Sequence, residues 1–277
     1  MQIANLENLN RRFTAQAGPF RVLEYQSDLS NSPQTAQMAY FMAQMGVHRR
    51  QLVIDLNHTA VVIQAGAMQW MSGQVKVGTG IKGVGDLLGK AIRGAVTKEA
   101  AVKPEYQGQG LLVLEPTYKY IILEDLASWG PAGVTLEDGM FYACEAGVKQ
   151  RLTARKTLSS AAFGGEGLFN LSLVGSGVAA LESNVPRDEL IEVTLHNDEL
   201  KIDGNLALCW STNLEFTVER STRSLIGSAM SGEGLVNVYR GSGKVLISPV
   251  TPTSSLWSAT NSEAAKAAAK NSNTLGH

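Results

Sequence analysis

Three stretches of this chain resemble one another at intervals of 67 and 66 residues, and that repetition limits the possible folds more than any other feature. Gly108-Gln109-Gly110, Gly175-Ser176-Gly177 and Gly241-Ser242-Gly243 each open a short apolar run: LLVLEP, VAALES and KVLISP. Ahead of them, Glu99, Glu166 and Glu233 recur at 67-residue intervals, the second and third inside Gly-Glu-Gly-Leu. Between them, Asp138-Gly139 leads to Cys144 and Asp203-Gly204 to Cys209, while Ala65-Gly66 leads to Met71 at the same spacing. Propeller blades and solenoid coils repeat at about 20–50 residues, so this period is too long for either. It leaves room for roughly four or five short strands per copy. Residues 98–116, 165–183 and 232–249 are expected to occupy equivalent places, with glycine pairs where strands bulge or switch sheets.

Strand patterning dominates from Gln51 onward. Leu52, Ile54 and Leu56 alternate with Val53 and Asp55; Val61 and Ile63 follow a turn at Asn57-His58. Leu111–Glu115 and Tyr120–Leu123 are apolar runs, and Leu214, Phe216 and Val218 alternate with polar neighbours. Leu190–Asp203 reads as a hairpin turning at Asn197-Asp198. Strict alternation implies antiparallel sheets with one buried and one wet face. Helices are few. Ser32-Pro33 offers a start and Gly46 a stop for a helix over 33–46, whose Met38, Phe41, Met42 and Met45 form an apolar stripe. A second short helix is expected over Gly85–Arg93.

The fold class expected is therefore mostly β, an antiparallel sandwich or double-stranded β-helix with internal repeats and one or two short helices. Residues 1–20 read as an arm, 21–252 as a single β domain, and 253–277 as a polar, alanine-rich tail without an apolar face. With 277 residues, 44% of them hydrophobic and 18% charged, the chain can bury a large core. Its net charge of −1 argues against a general electrostatic binder of nucleic acid or membrane surfaces. Two cysteines exclude a disulfide scaffold. Met1–Asn10 carries no targeting pattern and no stretch reaches 18 apolar residues, so reduced thiols in a cytoplasmic protein are expected.

The run Gln64–Gly73 (QAGAMQWMSG), with LEPTYKY at 114–120, GEGLFNLSLVGSG at 165–177 and SGEGLVNVYRGSG at 231–243, resembles the family named for altered inheritance of mitochondria, number twenty-four. The resemblance spans about Gln51 to Val250. It implies a TRAP-like fold, related in shape to the tryptophan-binding RNA attenuation protein. A relation of fold carries neither tryptophan nor RNA binding with it. The family offers no catalytic residues to transfer, and its mitochondrial member's location does not follow for a chain without a transit-like start.

No chemical motif assembles into a catalytic constellation. Gly78, Gly80 and Gly83 form a literal G-x-G-x-x-G, but the preceding strand is short and polar and the surrounding pattern is antiparallel. A flexible glycine loop over 78–85 is the better reading, with nucleotide binding as its alternative. Ser176 and Ser242 stand where the first copy has Gln109, so that position is structural rather than nucleophilic. His48, His58 and His196 form no triad, although His58 is near Asp55. Glu99, Glu166 and Glu233 could converge on an axis and hold a cation; capping their own glycine turns is the simpler role. Lys149, Arg151, Arg155 and Lys156 make a basic cluster best read as a solvated strand face. Cys144 and Cys209 are expected as buried thiols, without disulfide or metal. The chain is expected to need no cofactor, and to act as a non-enzymatic, self-associating binding or scaffolding protein. The alternative is a small-molecule or nucleotide site at the glycine loop or in a pseudo-axial pocket.

Overall fold

A computed structural model describes residues 2–78, 103–154, 156–157, 169–220 and 235–250. The helix expected over 85–93, the tail from 253, and Gly80, Gly83, Glu99, Arg155, Glu166 and Glu233 lie outside the described residues.

The described residues form two sheets. The first holds β1 (Arg11–Ala17), β2 (Phe20–Tyr25), β3 (Arg50–Asp55), β4 (Val61–Ile63), β5 (Met68–Gly78), β6 (Glu105–Leu114), β7 (Tyr120–Asp125), β9 (Phe141–Glu145) and β13 (Val178–Ser183). The second holds β8 (Val134–Leu136), β10 (Lys149–Ala154), β11 (Lys156–Thr157), β12 (Phe169–Val174), β14 (Ile191–Asp203), β15 (Ala207–Ser211), β16 (Glu215–Arg220) and β17 (Leu235–Ile247). All pairings among these strands are antiparallel except the two-residue match of β11 with β16. One apolar cluster joins the sheets: Val62, Phe141 and Cys144 from the first meet Leu136, Leu171, Cys209 and Leu246 from the second. A second fills the curl of the first sheet with Phe20, Leu52, Ile54, Leu112 and Tyr142. A third is local to the second sheet, where the rings of Trp210, Phe216 and Tyr239 pack with centroids 5.1–5.5 Å apart, Trp210 stacked on Phe216 and edge-on to Tyr239.

Three details depart from the sequence reading. The arm over 1–20 contains a strand: β1 pairs with β2 along its length. That pairing helps to bury both faces of β3. Leu52 and Ile54 face the inner cluster, while Val53 joins Leu23 and Val113 beneath Leu6, Phe13 and Trp70. A strand expected to be wet on one face is thus dry on both. The hairpin expected over 190–203 is instead the single strand β14, with a bulge between Leu195 and Asp198. Asn197 takes φ 55° and its amide donates to Ser242 Oγ at 2.8 Å, so the turn-forming residues absorb one extra position without reversing the chain. The bulge explains why apolar residues sit at odd numbers up to Leu195 and at even numbers from Leu200.

The glycine pairs have distinct local duties. At Gly110 (φ +148°) a Cβ would stand 1.8 Å from Ser72 O, and at Gly73 (φ +91°) 2.3 Å from Gln109 O. Only glycine allows β5 and β6 to approach so closely. Gly175–Gly177 carries the chain from β12 in one sheet to β13 in the other. In all three stretches the segment before the pair runs antiparallel to β5, β10 or β16, and the segment after it to β3, β7 or β14. Met71 does not match the cysteines. All three follow their turns, but Met71 lies on β5 and is exposed, whereas Cys144 on β9 and Cys209 on β15 are buried.

Candidate functional site

The helix α1 (Ala36–Gln44) begins three residues later than Ser32-Pro33 suggests. Ser32 and Thr35 bond to one another in the turn ahead of it, so the Thr35 hydroxyl provides no cap for the helix amides. Gly46, at φ +74°, donates to Ala43 O and ends it. No residue of α1 is buried. Half-buried Ala39, Met42 and Ala43 face the sheet; Met38, Tyr40, Phe41 and Met45 are 62, 61, 57 and 79% exposed. Of the apolar stripe, Met42 is half-buried against the sheet, while Met38, Phe41 and Met45 stand in water in the single chain. A nine-residue helix has too little surface to wrap the sheet, and its small alanines make the inward contact.

Between α1 and the sheet lies a pocket of about 180 Å³, closed by the ends of β2 and β3 and by Tyr118. Its floor is polar and tightly bonded. Arg49 contacts Asp28 at 2.6 Å and donates to the Tyr118 hydroxyl at 3.0 Å, which in turn donates to Asp28 at 3.1 Å. Burial opposes the charge on Asp28, but the Ser30 hydroxyl and amide, Tyr118 and Arg49 prevail and hold its carboxyl below its ordinary pKa. Beneath it, Arg50 is buried, bonds Glu24 at 2.8 Å and lies 3.9 Å over the Tyr120 ring. Buried Gln51 donates to Gln69 Oε1 at 2.7 Å and Leu114 O at 3.1 Å, and accepts from Tyr25. Gln26 and His48 also line the pocket; their Nε2 and Nδ1 atoms are buried and have no hydrogen-bond partner in the chain. Sequence reasoning named His48 only as a member of no triad and passed over Gln26; neither lies in a motif, and they sit opposite one another because the β2–β3 pairing continues past Glu24 and Arg50, with Tyr25 donating to Arg49 O.

The other expected groups stay apart. Gly78 is the exposed end of β5, with nothing near its Cβ position. Lys149 and Arg151 are both exposed on β10. Asp55 is engaged by Asn57, and no hydrogen bond joins it to His58. Both line an open cleft of about 530 Å³ with Arg21 and Glu145, but Glu145 accepts from the Val178 amide. Cys144 and Cys209 are free and buried, and burial pushes the Cys144 thiol up to about 12 and that of Cys209 higher still. Ser242 is the acceptor at the β14 bulge. Among the described residues no helix is long and apolar enough to cross a membrane.

A curled antiparallel β fold, with one peripheral α-helix among the described residues, defines the class. The chain belongs to the Mitochondrial biogenesis AIM24 family, which it matches over residues 44–250. It is 29% identical over 203 residues to an uncharacterized protein of Streptococcus pyogenes serotype M6, covering 70% of this chain and 79% of that one. Its fold is similar to the X-ray structure of another Streptococcus pyogenes protein, at a TM-score of 0.55 and 23% identity over 91% of this chain and 99% of that one.

Proposed function

We propose that the protein is a non-enzymatic binding or scaffolding protein that works as a homo-oligomer, with the outer face of α1 as the contact between copies. The observation that carries this reading is that Met38, Tyr40, Phe41 and Met45, on α1 and at its C-terminal cap, are each more than half exposed. Leu29 and Val47 extend the same exposed apolar character on either side of α1. Contiguous apolar surface of this kind marks an interaction site. A second copy is the occupant favoured here, because a net charge of −1 leaves little repulsion between identical chains. The threefold internal repeat belongs to the same proposal; the matched pairing of the three glycine stretches supports it. So does a cytoplasmic location, which the free, buried thiols favour.

Sedimentation of the full chain at tens of micromolar tests the reading. The expected result is an oligomer that Phe41→Glu with Met45→Glu converts to folded monomers. A monomeric wild-type chain, or an oligomer indifferent to both substitutions, would overturn it.

A further inference from the structure

The geometry points to a head-to-tail contact between copies of this chain, in which β14 of one copy pairs antiparallel along the outer edge of β5 of the next. Ile202 stands across from Trp70, Lys201 from Met71 and Leu200 from Ser72. This contact rests on the self-association and the threefold repeat proposed above, but needs no part of α1.

Two junctions of this kind lie inside the chain. β4 is held between β6 and β9: Val61 pairs with Tyr106 on one edge and with Glu145 on the other, and Ile63 pairs with Ala143. β8 is held between β12 and β15: Val134 pairs with Leu173 on one edge and with Ser211 on the other, and Leu136 pairs with Cys209. The second half of β14 makes the first of these pairings without the second. Leu200 pairs with Tyr239 of β17, as Val61 does with Tyr106 and Val134 with Leu173. Among the described residues its other edge carries no strand. β5 shows the converse. Trp70 pairs with Val113, as Ala143 does with Ala180 and Cys209 with Leu246, and all three strands bulge just before that residue. β9 and β15 have β4 and β8 on their other edges, whereas β5 has no second neighbour among the described residues.

Exposure marks the same two edges as incomplete. At the filled junctions the middle pairs, Val62 with Cys144 and Thr135 with Trp210, are buried on both sides. Met71, the counterpart of Cys144 and Trp210, is 42% exposed, and Lys201, the counterpart of Val62 and Thr135, is exposed as well. The chain thus carries both halves of a third junction and leaves them unjoined, so the surface that completes each half is present on a second copy. Charge permits the match: β5 carries none from Met68 to Val75, and Lys201 meets a methionine. A strand edge without charges is poorly guarded against pairing with another chain. Each copy offers one edge of each kind, which is the condition for a closed ring or an open row of copies.

Disulfide cross-linking of the full chain tests the contact, with sedimentation of the reduced samples reporting assembly. Directly opposed residues of an antiparallel pair have Cα atoms about 4.5–5.5 Å apart, within reach of a disulfide. Met71→Cys protein mixed with Lys201→Cys protein and oxidised should give a covalent dimer on a non-reducing gel, and neither variant alone should. Met71→Cys mixed with Asp203→Cys, two positions out of register, should give about tenfold less. Met71→Lys sets like charges opposite one another and should weaken assembly about fivefold; adding Lys201→Glu should restore it. No dimer from the mixture, no rescue by Lys201→Glu, or a double variant, Met71→Cys with Lys201→Cys, that closes only within its own chain would each overturn the contact. An oligomer that forms without the cross-link would leave self-association standing and remove this contact alone.

Discussion

β3 and α1 carry apolar stripes of similar density, yet their fates are opposite. Gln51, Leu52, Val53 and Ile54 are all buried, at 4% exposure for the glutamine and 0% for the three apolar residues; α1 buries nothing. Periodicity identifies the face of an element that wants cover. It does not say how much of the molecule will arrive to provide it. β3 receives cover from both sides because β2 and β6 flank it and Leu6, Phe13 and Trp70 lie over its outer face. α1 lies at the rim, with sheet on one side only, and presents its larger side chains outward.

That contrast makes a quantitative prediction, and it is the largest effect expected. Ile54→Ala removes methylenes from a site where nothing can collapse, at a cost of about 2–5 kcal/mol in stability. Phe41→Ala removes a larger side chain from an exposed helix face and should move the monomer by no more than about 0.5 kcal/mol. Chemical denaturation of both variants at low concentration measures the pair. Similar losses would break the comparison and place Phe41 in the core after all. If Phe41→Ala loses stability only at high concentration, the cover comes from a second copy.

The polar floor between the two regions should rank next. Arg50 is buried against Glu24 and Tyr120, so Arg50→Ala strands a carboxylate in a poor environment and opens a void. A loss of about 3 kcal/mol is expected by the same denaturation assay. Arg50→Met, which keeps the packing volume, should lose nearly as much, because the stranded charge rather than the void dominates. A mild Arg50→Met would instead show that Glu24 readily reaches water.

Much of this fold was legible in the sequence because it depends on local pattern. The alternation in 52–56 and 214–218 placed β3 and β16, and the shared Asp-Gly-to-cysteine spacing placed Cys144 and Cys209 on buried strands. What was not legible depends on contact. The bulge at Asn197 looks like a hairpin turn until β17 is seen running along the whole of β14. Met71 matches a cysteine spacing and follows its turn as the cysteines do, but it lies on an exposed stretch of β5 while they are buried. The pocket was least legible of all. Gln26 and His48 are 22 positions apart, belong to no motif, and line the same pocket because the antiparallel pairing of β2 with β3 sets them opposite one another beneath α1.

The two cysteines sharpen the interior side of the contrast. Both lie in the cluster between the sheets, and burial raises both thiol pKa values, that of Cys144 to about 12. The thiolate is the reactive form, so neither should react at neutral pH without opening of the sheets. Labelling with a thiol reagent should be slow in the native protein and rapid in denaturant, for both sites together. Rapid labelling of one alone would reveal a local opening that the shared cluster does not permit.

The smallest effect belongs to the surface, and pH brings it out. Arg240 on β17 donates to Glu219 on β16 at 2.6 and 3.0 Å and to Glu199 on β14 at 2.5 Å. The bond from Arg240, aided by the Thr217 hydroxyl, lowers the Glu219 pKa from 4.5 to about 2. A carboxylate whose pKa is depressed by folding favours the folded state above its unfolded pKa, and that contribution fades as pH falls from about 4.5 toward 2. The side chains are 33 and 35% exposed, so solvent and salt screen most of it. Glu219→Gln should therefore leave melting at pH 7 only slightly lower. Its distinguishing mark is a shallower decline of stability between pH 4.5 and 2 than the wild type shows, a difference that shrinks in high salt. If the variant instead loses as much at pH 7 as Ile54→Ala does, this cluster belongs with the interior, and the division between a dry core and a wet rim is drawn in the wrong place.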